Sequence, residues 1–170
     1  MASGDVVGLI QEIMYPGTLA ATPDVILGTS TPAESLSVYD FDAATDEFLD
    51  FKVRCAGYDA GGFTVSLPWI SAQTSNAVGW LVAFRRIADD AEDLDTTAHT
   101  YVYNSVSDTS ASAIGELSYA TITFTDGADS DSVADGDEFI LRVSRDADGS
   151  VVTDSMTGDA SLWSVIITET

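Results

Sequence analysis

Few residues in this 170-residue chain could do chemistry, and they are spaced badly for it. His99 is the one histidine, so a histidine metal cluster is excluded, and a Ser-His-Asp triad would have to form around that single ring. No G-x-S-x-G elbow is present to expose a serine. With Tyr101 and Tyr103 at the same parity after it, His99 reads as an ordinary strand-end residue. Cys55 is the one cysteine and sits in an alternating run with Lys52 and Arg54 on the opposite parity, which marks it as a small buried hydrophobe. Close carboxylate pairs carry no weight as glycosidase signals, because 28 Asp and Glu make such pairs unavoidable.

One acidic loop invites a hard cation. Asp126, Asp129, Asp131, Asp135 and Asp137 fall at short intervals, and Ca²⁺ takes six to eight oxygen ligands. The spacing departs from the EF-hand loop, however. Counting from Asp129, Val133 stands where an oxygen ligand belongs and Ala134 where the glycine belongs; counting from Asp146, Val151 takes the glycine position. The sequence therefore favours a solvated acidic turn, with those five aspartates as the alternative cation loop and no cofactor beyond loosely held cations. The remaining candidates are the aromatics Tyr58, Trp69, Trp80, Tyr101, Tyr103, Tyr119 and Trp163, which could stack on sugars. Trp69 and Trp80 fall on the apolar parity of their runs, which predicts burial.

The elements that must carry these residues are strands. Leu49, Phe51, Val53 and Cys55 alternate with Asp50, Lys52 and Arg54, and Phe63, Val65, Leu67 and Trp69 alternate with Thr64, Ser66 and Pro68. Turn residues separate such runs, as in Tyr58-Asp-Ala-Gly-Gly and Asp146-Ala-Asp-Gly. The pattern predicts strands near 20–27, 36–42, 47–55, 62–70, 77–87, 99–105, 116–125 and 137–145, with a ninth at 159–168. Helical signal is thin: Val6 to Met14 is a short amphipathic turn or an extended arm, and the acidic stretch 88–98 reads as a solvated loop. The expected fold is an all-β, antiparallel two-sheet jelly roll or β-sandwich, with residues 1–38 as an irregular arm on a domain spanning 39–170.

Two strands are apolar on both faces. Val78, Trp80, Val82 and Phe84 oppose Gly79, Leu81 and Ala83, and Trp163, Val165 and Ile167 oppose Leu162, Ser164 and Ile166. The second face packs either on the N-terminal segment or on a neighbouring subunit, which makes Leu81, Ala83, Leu162 and Ile166 the expected interface residues.

Charge sets the environment. Against 28 acids stand Lys52, Arg54, Arg85, Arg86, Arg142 and Arg145, a net charge of -22, while 45% of residues are hydrophobic. That apolar fraction supports a core and excludes an acidic disordered tail. Six cations cannot grip a nucleic-acid backbone. The densest apolar run, Val78 to Phe84, is far short of the ~20 residues of a membrane span, and the acidic, cation-free start does not read as a secretory signal. Molar salt suits the composition, because it contracts the Debye length to about 3 Å and silences the self-repulsion.

The run Tyr39-Asp-Phe-Asp-Ala-Ala-Thr-Asp-Glu-Phe-Leu-Asp-Phe, with Tyr58-Asp-Ala-Gly-Gly-Phe-Thr-Val after it, resembles a group of tailed-virus virion proteins. Those carry an F-D-A-T-T-D-E turn, a V-x-W-x-V-x-F-x-R strand and an F-x-L-R-V-x-R-D … D-x-x-L pair. Phe41 to Glu47, Val78 to Arg86, and Phe139 to Asp146 with Asp159 to Leu162 correspond to them here; Arg54-Cys55-Ala56 departs where relatives often have M-P or V-P. The likeness covers roughly residues 39–169. It implies a jelly roll displayed on the particle surface, as capsid decoration, turret or fibre, usually oligomeric; with the doubly apolar strand 77–87 and no catalytic constellation, the expectation is a non-enzymatic homotrimer, or alternatively a pentamer, with the major capsid protein as partner. With the acidic surface, it points to a tailed virus of a halophilic archaeon; a virion-borne carbohydrate-binding module contacting host glycans is the alternative.

Composition alone generates one test. Thermal melting followed from molar KCl down to tens of millimolar should show a steady fall in midpoint as screening is withdrawn. A midpoint that stays level across that range would remove the high-salt reading.

Overall fold

A computed structural model describes residues 2–89, 93–95 and 98–170. Its strands are wired as nested pairs. At the centre β6 (Ala77–Ile87) pairs with β7 (Asn104–Thr109). Around that hairpin β5 (Phe63–Ser71) pairs with β8 (Leu117–Phe124), β4 (Phe48–Cys55) with β9 (Glu138–Arg145), and β3 (Ser35–Phe41) with β10 (Ala160–Leu162), all antiparallel. The pairs alternate between two facing sheets, which is jelly-roll wiring. One sheet runs β1 (Gly8–Met14), β4, β9, β6, β7; the other runs β2 (Thr22–Leu27), β3, then β10 and β11 (Ile166–Glu169) end to end, then β5 and β8. The protein is an all-β, antiparallel sandwich.

The first forty residues supply two more edge strands: β2 falls at the strand expected near 20–27, and β1 makes a regular strand of the stretch that reads as a short turn or extended arm. β1 (Gly8–Met14) pairs with β4, and β2 (Thr22–Leu27) pairs with β3. Just before β1, Val7 donates its N–H to Ile167 O and Glu169 donates to Asp5 O, so the chain leaves one sheet and joins the other at Gly8. A Cβ there would lie 2.6 Å from Ile167, which is why the crossing needs glycine.

Inward side chains form one core, in which Phe63, Phe84, Phe124 and Phe139 pack as a cluster and Trp69 meets Trp80 edge to face at 6.1 Å. The Trp69 indole donates to Asp108 on β7, 2.7 Å away, tying the two sheets at that edge.

Sequence and structure part at three places. The strand expected at 99–105 begins only at Asn104, because residues 99–103 lie over the outer face of the β4-β9-β6 sheet, where Arg142 sits 4.0 Å from the centre of the Tyr101 ring. The expected ninth strand is broken between Leu162 and Ile166 by one extra residue, a bulge opposite Pro68. The outer face of β6 is covered by this chain itself. Val152 closes over Gly79, where a Cβ would lie 2.9 Å from its methyl, and Arg142 with Tyr101 lies beside Ala83. The acidic stretch 88–98 lies partly outside the described residues.

Arg145 holds the closing loop. Its side chain is fully buried, and all five of its N–H groups are used: two on Asp154 (2.8 and 3.1 Å), and the others on the carbonyls of Phe41, Met156 and Gly158. Asp154 in turn accepts from the backbone N–H groups of Gly79 and Met156. Removing one partner leaves the other charge buried and bare, so Arg145→Met or Asp154→Leu should each lower stability by about 3–5 kcal/mol in urea melts at fixed molar KCl. The double substitution should recover part of that loss. Single variants as stable as wild type would show that the pair does not hold the loop.

Candidate functional site

The five aspartates of the acidic loop are placed by a single 3-10 turn, Ala128–Ser130, that ends with Asp131 in the left-handed region at φ 52°. Their carboxylates diverge. Asp126 accepts from the Tyr58 hydroxyl at 2.8 Å, and Asp135 from the N–H groups of Gly57 and Tyr58 at 2.6 and 3.2 Å, so these two clasp the 57–62 turn. Asp129 accepts from Thr125, N–H and hydroxyl both. Asp131 and Asp137 hold Arg86, the first through its backbone N–H at 2.7 Å, the second through the guanidinium at 2.6 Å. Each acid thus caps or clamps a neighbouring segment. Burial, with the Asp126 hydrogen bond adding to it, pushes the Tyr58 hydroxyl up and keeps it a donor.

Among the described residues, the acids that do bring ligand atoms within 4.8 Å of one another are Asp46, Asp146 and Asp148. They organise a turn as well. Asp46 accepts from Ala147 N–H at 2.8 Å, Asp146 from Val151 and Val152 N–H at 2.8 and 2.7 Å, and Asp148 from Ser150 N–H at 2.9 Å. Sequence spacing could not find this trio, because Asp46 lies a hundred residues before the other two.

The remaining chemical candidates are equally quiet. Cys55 is buried, and burial together with Asp135, Asp137 and Glu169 pushes its thiol up to about 11, which leaves no thiolate nucleophile near neutrality. His99 stands edge-on to Tyr101, with Nε2 4.0 Å from Asp131.

Of the seven aromatics, Trp69, Trp80 and Tyr58 are buried and Tyr101 and Tyr103 are half-buried beside Arg142. Tyr119 and Trp163 are exposed, at 59% and 38%. They flank Pro68: Tyr119 is its register partner on β8, and Trp163 N–H donates to its carbonyl from the bulge on the other side. Trp163 also borders a small apolar cleft of about 170 Å³ with Ile10, Ile13 and Tyr39.

Further along the same outer face, Thr121, Ser66 and Ile166 make the next cross-strand row, and Thr123, Thr64, Thr168 and Val6 the one after. None of these positions carries a charge. Ile166 and Val6 are exposed as well, at 39% and 57%. The outer face of the other sheet, by contrast, alternates Asp50, Lys52, Arg54, Arg85, Glu138 and Arg142. On the sheet of β5 and β8, charge returns past Ile70, where Asp24, Asp40 and Asp159 border a depression of about 380 Å³; burial, and then the nearby Asp24, raise the Asp40 carboxyl.

Of the interface residues expected from sequence, Ile166 lies on this uncharged face, whereas Leu81, Ala83 and Leu162 are buried within the chain. The pattern that marks the face was present in the sequence as Thr64, Ser66, Thr121 and Thr123, but single runs do not reveal that their uncharged sides are adjacent.

If the acids are turn-builders, a chelator added at constant ionic strength should leave the melting midpoint unchanged, since no bound ion is then lost. A midpoint lowered by chelation and restored by one equivalent of Ca²⁺ would instead place an ordered ion, with Asp46, Asp146 and Asp148 the first ligands to substitute.

No family model and no curated protein matches the chain. Among solved structures, it is similar to TmCBM61 in complex with beta-1,4-galactotriose, at 12% identity and a TM-score of 0.39, over 94% of this chain and 88% of that one. It is also similar to the enzymatically active domain of tailspike protein 4 of bacteriophage CBA120, at 10% identity and a TM-score of 0.36, over 96% of this chain but 19% of that one. Likenesses this slight assign neither a family nor a ligand.

Proposed function

We propose that the chain is a non-catalytic structural protein displayed on the surface of a virus particle, as a capsid decoration or turret, and adapted to concentrated salt. The owner in this reading is a tailed virus of a halophilic archaeon, and the partners are further copies of the chain and the major capsid protein. The observation that carries it is the uncharged outer face of β8, β5 and β11 on a protein of net charge -22. Desolvating carboxylates against another protein is costly, so a face kept free of them is suited to lasting contact. The acids supply caps and clamps instead of a reaction centre, and the sequence resemblance to virion proteins covers the same strands.

Tyr119 and Trp163 favour a second reading, a carbohydrate-binding module that contacts host glycans. They stand two strands apart, about 10 Å, and present ring faces or edges to solvent. Electron microscopy of purified particles, with the chain traced in the density, separates the two. The structural reading expects ordered copies at symmetry-related positions on the shell. Particles that lack the chain, or that carry it only at tail-fibre tips, would overturn it.

A further inference from the structure

We infer that the depression on the outer face of β5, β10, β3 and β2 seats an arginine side chain of a shell protein. The inference rests on the structural role proposed above and gives that role its contact chemistry. Asp40 and Ile70 line the depression from one cross-strand row, with Ser161 between them. Asp24 on β2 and Asp159 just ahead of β10 add two more carboxylates, and Ile26 and Ile114 add apolar walls. All six Lys and Arg stand on the other sheet, and Arg145, whose guanidinium reaches the carbonyls of Phe41 and Gly158, is already neutralised by Asp154. Asp40 Oδ1 is buried and accepts no hydrogen bond, and burial, then Asp24 and Asp159, push the Asp40 carboxyl up. Negative charge is thus left unbalanced beside about 380 Å³ of open room.

Each feature narrows the occupant. A bare metal ion fits poorly, since these three acids do not converge as Asp46, Asp146 and Asp148 do. A neutral sugar would leave the repulsion among three carboxylates in place, and among the residues that line the depression there is no aromatic ring to stack on it. An aliphatic stem ending in a cation matches both parts: methylenes lie against Ile26, Ile70 and Ile114 while the head meets Asp24 and Asp40. Between the two natural heads, an ammonium is a point charge that molar K⁺ displaces from a carboxylate, whereas the planar guanidinium also gives paired, directional hydrogen bonds and sheds water more readily. Within a depression, such a pair is screened less than on an open surface. A second copy has little to lend, because Arg54, Arg86 and Arg142 are held by Glu138, Asp137 and Asp50.

The test is binding to particles stripped of the chain, in molar KCl. Asp24→Asn and Asp40→Asn should each weaken binding about tenfold or more, and Glu12→Gln, an exposed acid on the other sheet, should leave it unchanged. Unfolding does not account for such a loss: removing the repelled Asp40 charge should hold or raise the melting midpoint, and Asp24 stands exposed on an edge strand. On the isolated protein in the same salt, N-acetylarginine amide should shift the methyl resonances of Ile26, Ile70 and Ile114, and the double variant Asp24→Asn/Asp40→Asn should abolish those shifts. Wild-type methyls indifferent to that probe, or shifted only by CaCl₂ or by lactose, would overturn the inference by giving the depression to no ligand, to an ion or to a sugar. Asn variants that bind the shell as wild type does would overturn it as well, and leave the structural role standing. Wild-type protein that does not bind the shell would remove the structural role, and with it the shell as the source of the arginine.

Discussion

The Arg145–Asp154 pair is the contact on which the sandwich closes. β9 leads into the 146–159 loop, and that loop must return to place β10 between β3 and β5. Met156 is the side chain that the loop places in the hydrophobic core. The guanidinium fixes the loop by bonding the carbonyls of Phe41, Met156 and Gly158 while Asp154 neutralises it, which joins the end of β3 to the loop in one buried network. The wider arrangement of cations follows the same logic. All six Lys and Arg lie on β4, β6 and β9, three adjacent strands, from which Arg54, Arg86, Arg142 and Arg145 pair with Glu138, Asp137, Asp50 and Asp154. Scarce positive charge is concentrated where it organises neighbouring segments.

Much of this was legible from alternation alone. The runs around Phe51, Val65, Trp80, Ile122 and Leu141 fall in strands with the expected side inward, because period-two burial is a local property of the chain. What failed to show was always non-local. Tyr101 leaves its expected strand because Arg142 holds its ring, and Arg142 itself is fixed by Asp50 at 2.7 Å. The doubly apolar β6 asked for a cover, and the sequence offered two candidates; the actual cover comes from residues 99–103 and from Val152, which no periodicity points to. The acidic loop is similar. Spacing could rule out an EF-hand, but only the fold shows Asp135 turned toward Gly57 and Asp137 toward Arg86.

The two outer faces divide the labour of solvation. One carries matched charges, with Asp50 against Arg142 and Glu138 against Arg54, so its electrostatics are settled within the chain. The other, over β8, β5 and β11, holds threonine, serine and aromatic side chains, which shed water at far lower cost than a carboxylate does, and gathers Asp24 and Asp40 at its β2-β3 end. Between them the loops and turns carry most of the acid, where carboxylates both cap backbone N–H groups and keep the molecule hydrated. A surface segregated in this way lets a strongly charged protein remain soluble and still own a region fit for close contact.

The nesting of the strand pairs also dictates an order of events. β6 and β7 are separated by a single connection, each pair outside them spans a longer stretch of sequence, and further out still Gly4 and Asp5 meet Glu169. Loop closure is cheapest from the inside outward, since each pair already formed shortens the chain that the next must bring together. Assembly of this kind resembles a zip drawn from its middle, slow because almost every contact is distant in sequence. Until the last strand arrives, the edges of both sheets stand open, and it is then that mutual repulsion between unfinished chains is most useful, holding apart partners that would otherwise pair strand to strand.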